Sequence, residues 1–197
     1  MARVPTDFYP DLTNDRLRTV AVALLDMRYS TLREMNSPFD DNYTREAVVF
    51  GRQRNMLINM ARDEHHPWMA LSHAGMDVTF RIGSVPCRFF TDDSDSPQKH
   101  GFFRRNAVDD LFDSDDQTPV LWRFVIERSF GEQAEDQVFF VGYNLYQEKT
   151  AQWVYRASTP TLHSVDDVVP PSVDLQPAPV ALRPTTELQD QDRKIGN

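Results

Sequence analysis

The sequence predicts an α+β fold, in which two N-terminal helices pack on an antiparallel sheet of four to five strands. Three observations carry this prediction. Apolar residues recur at helical spacing over residues 14–63, alternation typical of strands dominates residues 77–157, and prolines accumulate from residue 158 onward. We expect the helices to cover one face of the sheet, because each element must bury its apolar side against another element.

The first helix is predicted over residues 14–35, where one face is apolar at nearly every turn. Arg28 is the single charged residue on that face. The apolar positions are Leu17, Val20, Ala21, Leu24, Leu32 and Met35. Pro38 ends the helix, because a proline disfavours helical geometry in the residue before it.

The second helix is predicted over residues 43–63 and is the most basic element of the chain. Its arginines are Arg45, Arg52, Arg54 and Arg62. Two interpretations are open: an exposed helix face with solvated charge, or a docking surface for an anionic partner. A short helical turn is predicted next, over residues 67–73, with Gly75 as its stop.

The richest apolar stretch is residues 119–155, which we expect to form the centre of the sheet. Its first half alternates between an apolar face and a polar face, with a period of two residues. The apolar face carries Trp122, Phe124 and Ile126, and the polar face carries Arg123 and Glu127. A polar turn over residues 131–136 joins this strand to a second β-branched and aromatic run.

Two further strand regions flank this centre. Residues 76–90 form either one long bent strand or two strands, 77–83 and 85–90, because Gly83 and Pro86 interrupt the pattern. Residues 150–157 form the last strand. Residues 91–118 are predicted to be irregular, with a short helix over 106–112.

The irregular segment alternates in charge. Two acidic clusters, at residues 92–95 and 109–116, flank a basic cluster made of Lys99, His100, Arg104 and Arg105. Neither acidic cluster has the glycine and the terminal glutamate of a calcium-binding loop. A nuclease-like pair of Asp136 and Lys149 is also excluded as a shared metal site, since a strand would separate them by roughly 30 Å.

Composition limits the classes of protein that the sequence fits. Its 197 residues, of which 40% are hydrophobic, are enough for one α+β domain over residues 1–157, followed by a Pro-rich extended tail over 158–197. A net charge of −9 argues against non-specific binding of nucleic acid. No apolar run is long enough to span a membrane, the first residues lack the apolar core of a secretory signal, and Cys87 is the only cysteine, so we expect a cytoplasmic protein.

No known catalytic or cofactor motif is recognisable. The seven glycines form no phosphate-binding loop, and the histidines lack the spacing of metal ligands. We therefore expect no cofactor and no metal. An anion pocket is nevertheless compatible with the arginines on the strands, since converging guanidinium groups bind phosphates and carboxylates; cross-strand salt bridges are the alternative. The candidate anion-binding residues are Arg81, Arg88, Lys99, His100, Arg104, Arg105 and Arg123.

Two classes of function fit the sequence. The favoured one is a non-enzymatic protein-interaction or regulatory module, of the neutraliser or accessory-subunit type, that binds a protein partner through the basic helix and the C-terminal tail. The candidate partner-binding residues are Arg45, Arg52, Arg54, Val173, Leu175, Val180 and Leu182. The alternative is a small enzyme or binding protein with an Arg-lined pocket for a nucleotide or phosphorylated substrate, with Tyr143 or Glu127 as proton carriers. Homo-oligomerisation is open in both, as is whether the tail packs on its own domain, binds a partner or stays disordered.

Overall fold

The computed structural model describes residues 2–105, 118–129 and 135–157, which belong to one compact unit, Met1–Thr159. These residues form two helices packed with a six-stranded mixed sheet, so the α+β class is confirmed. The expectation of four to five strands, all antiparallel, is wrong, because one of the pairs in the six-stranded sheet is parallel. The predicted helix over 106–112 and the tail over 158–197 lie outside the described residues.

The two helices match their predictions closely. Helix α1 spans Asn14–Glu34, after a short 3-10 turn at Pro5–Asp7, and helix α2 spans Asn42–Met60. Thr13 caps α1 and Asp41 caps α2, where the carboxylate of Asp41 accepts the N–H of Thr44 at 2.7 Å. The helices are joined in the interior by Gln53, whose side-chain amide donates to the carbonyl of Leu24 at 2.9 Å.

The six strands lie in the sheet in the order in which they occur in the chain. They are β1 (Met69–His73), β2 (Thr79–Ile82), β3 (Val85–Thr91), β4 (Leu121–Glu127), β5 (Gln137–Tyr143) and β6 (Lys149–Arg156). Neighbouring strands are antiparallel except β3 and β4, which run parallel. The connection between β3 and β4 therefore has to bring the chain back to the end of the sheet at which β3 begins.

The predicted helical turn over residues 67–73 is wrong, because this stretch contains β1. Met69 is 4% exposed and pairs with Ile82 of β2, so packing in the sheet overrides the local helical preference. The region 76–90 forms two strands, one of the two predicted alternatives. A tight loop at Gly83 separates them, and Gly83 has a φ of 59°, which glycine adopts without steric cost.

The helices cover one face of the sheet, as predicted. Trp122, Phe124 and Ile126 of β4 are at most 1% exposed and belong to the same core cluster as the apolar faces of α1 and α2. The aromatic rings of this cluster are closely packed, since Phe140 of β5 lies 4.5 Å from Phe124 and 5.2 Å from Trp122, measured between ring centroids.

The opposite face of β4, predicted to be polar and exposed, is also buried. Arg123 and Val125 are 0% exposed, because residues 92–105, which we call the covering segment, pack over this face. Phe102 of that segment is 1% exposed and anchors a second core cluster with Val120, Leu121, Val125, Val141 and Tyr143. The sequence-based expectation failed because a two-residue period cannot reveal a cover that comes from a distant, irregular part of the chain.

Candidate functional site

The covering segment is held on the sheet at Ser94. The backbone N–H of Ser94 donates to the carboxylate of Glu127 at 2.6 Å, and the phenol of Tyr143 donates to the backbone carbonyl of Ser94 at 2.8 Å. Burial, followed by the nearby carboxylate of Asp95, raises the pKa of Tyr143 to about 12. Tyr143 and Glu127 are thus engaged in holding the segment in place, with the phenol neutral at physiological pH.

The acidic cluster at residues 92–95 folds into local turns. The carboxylate of Asp92 accepts the N–H groups of Gln98 at 3.0 Å and Lys99 at 2.7 Å. Asp93 accepts the N–H groups of Ser96 and Asp95, and these bonds lower the pKa of Asp93. Within the described ranges, no group of three histidine, cysteine or acidic side chains is placed to hold a metal ion.

Two strand arginines bind the other end of the covering segment. Arg123 donates to the carbonyls of Phe102 at 3.2 Å and Arg104 at 3.4 Å, and Arg88 donates to the Arg104 carbonyl at 3.3 Å. Arg88 and Arg123 are directly paired across the parallel strands, so both lie on the covered face. Their guanidinium groups therefore fix the position of the basic cluster at residues 99–105.

A cavity of about 750 Å³ opens beside this cluster, and we call it the α2–β3 pocket. It is bounded by the first half of α2, residues 76–78, the second half of β3 and residues 99–104 of the covering segment. Four of its lining residues are basic and were predicted as anion-binding candidates: Arg88, Lys99, His100 and Arg104. The fold therefore brings together residues from two separate parts of the chain that the sequence had marked as a group.

The two acidic residues of the pocket already have partners. Glu46 forms a bidentate pair with buried Arg28, with distances of 3.0 and 3.1 Å, and Asp77 lies 3.0 Å from His73. Neither Arg28 nor His73 lines the pocket. By contrast, Lys99, His100 and Arg104 form no ion pair with any residue in the described part of the chain. Among the described lining residues, Arg88, Lys99 and Arg104 outnumber Glu46 and Asp77, so this part of the pocket is cationic in a protein whose net charge is −9.

The apolar part of the pocket comes from α2 and β3. Phe50 of α2 stacks on Phe89 of β3 with ring centroids 5.4 Å apart. Tyr43 and Met76 lie at the mouth and are 82% and 74% exposed. These two side chains place exposed apolar surface beside the basic residues of the cavity.

The remaining anion-binding candidates lie apart from the pocket. Arg81 is an exposed residue of β2, Arg105 is exposed beside Arg104, and Arg123 is buried under the covering segment. None of these three lines the cavity. Four of the seven anion-binding candidates thus line the pocket, and the other three lie elsewhere, either buried under the covering segment or exposed.

The arginines of the predicted basic helix mostly contact the protein itself. Arg52 is paired with Glu34 of α1, and Arg54 donates to the carbonyls of Ala74 and Gly75. Arg45 is half-buried on α2. The other partner-binding candidates, Val173, Leu175, Val180 and Leu182, lie outside the described residues.

Sequence reasoning missed a buried ionic network at the edge of the pocket. Arg28 of α1 binds both Glu46 of α2 and Asp136, which precedes β5, at 2.6 Å in the latter case. The backbone N–H of Asp136 also donates to the hydroxyl of Tyr29 at 2.9 Å. The one signal was the single arginine on the otherwise apolar face of α1, since a charge in such a position requires a buried partner.

Comparisons of the chain with protein-family models, with curated proteins and with solved structures found no match. Among the described residues, no helix is long and apolar enough to cross a membrane. The functional argument therefore depends on the geometry of the α2–β3 pocket.

Proposed function

We propose that this protein is a non-enzymatic protein-interaction module that binds an acidic segment of a partner protein in the α2–β3 pocket. The observation that carries the proposal is the charge arrangement. Lys99 and Arg104 line the pocket without an ion pair to a described residue, while the carboxylate of Glu46 is already paired with Arg28. Cations in this state are available to carboxylates of a partner.

The apolar mouth of the pocket favours a protein partner over an isolated anion. Tyr43 and Met76 line the pocket and are 82% and 74% exposed. Protein interfaces typically combine exposed aromatic and methionine side chains at the centre with polar groups around them. An acidic segment that also carries apolar side chains would match both parts of the pocket.

Charge reversal tests this function. We expect Lys99→Glu combined with Arg104→Glu to weaken binding of a fluorescein-labelled peptide that alternates glutamate and valine by at least about tenfold, measured by fluorescence anisotropy. Arg18→Glu combined with Arg33→Glu, on exposed positions of α1, is the matched control and should leave the Kd within about twofold. Equal affinities of the wild type and the pocket variant would contradict the proposal.

A complementary swap strengthens the test. The same peptide with lysine in place of glutamate should bind the charge-reversed variant better than it binds the wild-type protein. A failure of this reciprocal preference, with the variant still folded by circular dichroism, would mean that the pocket charges do not select the partner.

A second candidate function is the binding of a nucleotide or another phosphorylated small molecule in the same pocket. Its support is the cavity volume of about 750 Å³, which lies in the usual range for small-molecule sites, next to four basic side chains and the Phe50 and Phe89 rings. Titration with ATP by calorimetry tests it. Saturable binding of ATP that Lys99→Ala removes, together with no binding of the acidic peptide, would place this candidate first.

The C-terminal tail is proposed as an additional partner contact, on the sequence pattern of Val173, Leu175, Val180 and Leu182. Deletion of residues 158–197 should then weaken capture of a full partner protein and leave the thermal unfolding midpoint unchanged. Unchanged affinity after this deletion would remove the tail from the proposed interface.

We also propose a cytoplasmic location, because Cys87 is fully buried as a free thiol, which suits a reducing compartment. Fractionation of the source cells tests this, and recovery of the protein from a secreted or periplasmic fraction would contradict it.

A further inference from the structure

Among the described strands, the second half of β3 has a neighbour on one side only. Pairing between β2 and β3 extends from Ile82↔Val85 to Phe80↔Cys87 and ends there. On the other side, pairing with β4 continues to Thr91↔Ile126. No described strand therefore pairs with residues 88–91 on the β2 side, and this half-edge forms the floor of the α2–β3 pocket.

The direction of the backbone groups on this half-edge follows from the hydrogen-bond pattern. The N–H of Asp92 donates to the carbonyl of Ile126 in β4 at 3.2 Å. Successive residues of a strand direct their backbone N–H and C=O groups to opposite sides. The backbone groups of Phe90 therefore point toward β4, whereas those of Phe89 and Thr91 point toward the pocket. The unpaired half-edge thus presents the donors and acceptors of two residues that both line the cavity.

The two sides of this half-edge differ in chemistry. On the side of the helices, Phe50 stacks on Phe89 and Met76 lies at the mouth. On the side of the covering segment lie Lys99, His100 and Arg104. Since the side chains of an extended strand alternate between two faces, a strand placed here would meet apolar groups with one set of side chains and basic side chains with the other.

We propose that the acidic segment of the partner binds in extended form and adds to the sheet as a strand beside β3, hydrogen-bonded to the backbones of Phe89 and Thr91. Its acidic side chains contact Lys99, His100 and Arg104, and its alternate apolar side chains contact Phe50 and Met76. This inference rests on the proposed function and names the mode of binding. Strand addition to an exposed sheet edge is an established way for proteins to bind extended peptides, and here the positive charge of the pocket selects an acidic peptide.

Backbone methylation of the probe separates the binding mode from the function itself. Two versions of the alternating Glu and Val peptide carry N-methyl groups, one on every glutamate and one on every valine. Only one set of N–H groups faces β3 in a paired strand. We expect one version to bind at least about tenfold more weakly than the unmethylated peptide, and the other to stay within about twofold.

Each outcome of this experiment has a defined meaning. Tight binding of both methylated versions would overturn strand addition and leave intact the proposed binding of an acidic segment in the pocket. No binding of the unmethylated peptide would overturn both. A second copy of this chain as the occupant would instead appear as concentration-dependent dimerisation in sedimentation that the charge-reversed variant loses, and this would also overturn the peptide proposal.

A substitution in the protein tests the same contact from the other side. Thr91→Pro removes the N–H that faces the pocket and leaves the ladder with β4 intact, whereas Thr91→Val keeps the N–H. We expect about a tenfold loss of peptide affinity for the proline variant and less than about a twofold change for valine. If Thr91→Pro does not fold, amide exchange of the wild type decides: the Thr91 amide should become protected when the peptide is added, and unchanged exchange would overturn the proposal.

Discussion

At the scale of single residues, buried arginines hold distant parts of the chain together. Arg28 is 4% exposed and donates to carboxylates from α2 and from the start of β5, so one side chain joins three elements. Arg123 is 0% exposed and donates to backbone carbonyls of the covering segment. Arginine suits these positions because its planar guanidinium offers several donors in fixed directions.

Removal of the Arg28 guanidinium should be strongly destabilising. Arg28→Met leaves the carboxylates of Glu46 and Asp136 without their buried partner, and we expect the free energy of unfolding to fall by about 3 to 5 kcal/mol. Urea unfolding measures this. Arg52→Ala, which breaks the exposed pair with Glu34, is the control and should cost less than about 1 kcal/mol. Similar costs for both variants would contradict a structural role for the buried network.

The raised pKa of the Tyr143 hydroxyl predicts that the free energy of unfolding falls at alkaline pH. The pKa of Tyr143 is raised from 10.0 to about 12, so its contribution is complete below pH 10 and is lost as the pH rises toward 12. We expect Tyr143→Phe to be less stable than the wild type at neutral pH, through the lost bond to Ser94, and to lose less additional stability between pH 10 and 12. Chemical unfolding at each pH measures the free energy of unfolding of both proteins. An equal loss in both between pH 10 and 12 would contradict the role given to the Tyr143 hydroxyl.

At the scale of elements, the covering segment converts a sheet with one buried face into a sheet with two. Phe102 is its main apolar contact, and its ring lies 4.9 Å from Phe90 and 5.6 Å from Tyr143, measured between centroids. The same segment carries three of the four basic residues of the pocket, Lys99, His100 and Arg104. Attachment of the segment and formation of the site are therefore one structural event.

Truncation of this anchor should affect stability and binding together. We expect Phe102→Ala to lower the free energy of unfolding by about 3 to 5 kcal/mol, and to weaken peptide binding in the variant that remains folded. Phe39→Ala, at a position that is 89% exposed, is the control and should change stability by no more than about 0.5 kcal/mol. Full peptide affinity in folded Phe102→Ala would mean that the pocket does not depend on the covering segment.

The elements differ in how far the sequence revealed them. The helices were predictable because apolar residues recur at helical spacing in both and Pro38 ends the first one, whereas the capping residues Thr13 and Asp41 became clear only in the structure. Strand β1 was not, since the six residues between a Pro-Trp pair and Gly75 fit a helical turn as well as a strand; the alternation of Met69 and Leu71 was the available signal. The parallel pairing of β3 and β4 left no trace in the local pattern, because strand direction does not alter the period of two residues.

The candidate site was predictable only in part. The basic cluster at residues 99–105 and Arg88 are recognisable in the sequence as cations, and the pocket contains several of them. Which charged side chains can bind a ligand depends on which already have a partner within the protein, and only the fold shows this. Arg123, for example, donates to a backbone carbonyl, and the carboxylate of Glu46 is paired with Arg28. The contribution of Phe50 and Met76 also depends on where α2 packs, which no local pattern specifies.

At the scale of the whole molecule, the sign of the charge differs between the pocket and the rest of the protein. Under the proposed function, a net charge of −9 would repel an acidic partner at long range, while the pocket would attract its carboxylates at short range. Specificity then follows, because only an acidic segment that reaches the pocket gains from the contact.

Because the repulsion acts at long range and the attraction at short range, we expect binding to depend on salt in two opposite ways. Raising the ionic strength from about 0.01 to 0.15 M shortens the screening length from roughly 30 to 8 Å, so the long-range repulsion is screened first and the association rate should rise. Further increase toward about 1 M should then weaken binding through the pocket contacts. Stopped-flow anisotropy measures the association and dissociation rates at each salt concentration. An association rate that falls steadily from the lowest salt upward would contradict the prediction.

The parallel pairing of β3 and β4 also places Arg88 directly opposite Arg123, and like charges in such a position oppose correct strand alignment. The carbonyl of Arg104 accepts from both guanidinium groups, so the covering segment supplies the contact that favours this alignment over others. A slip of β3 along β4 by two residues would place Phe90 opposite Arg123 and separate the two donors. In the folded protein, docking of the covering segment therefore favours this register of β3 and β4.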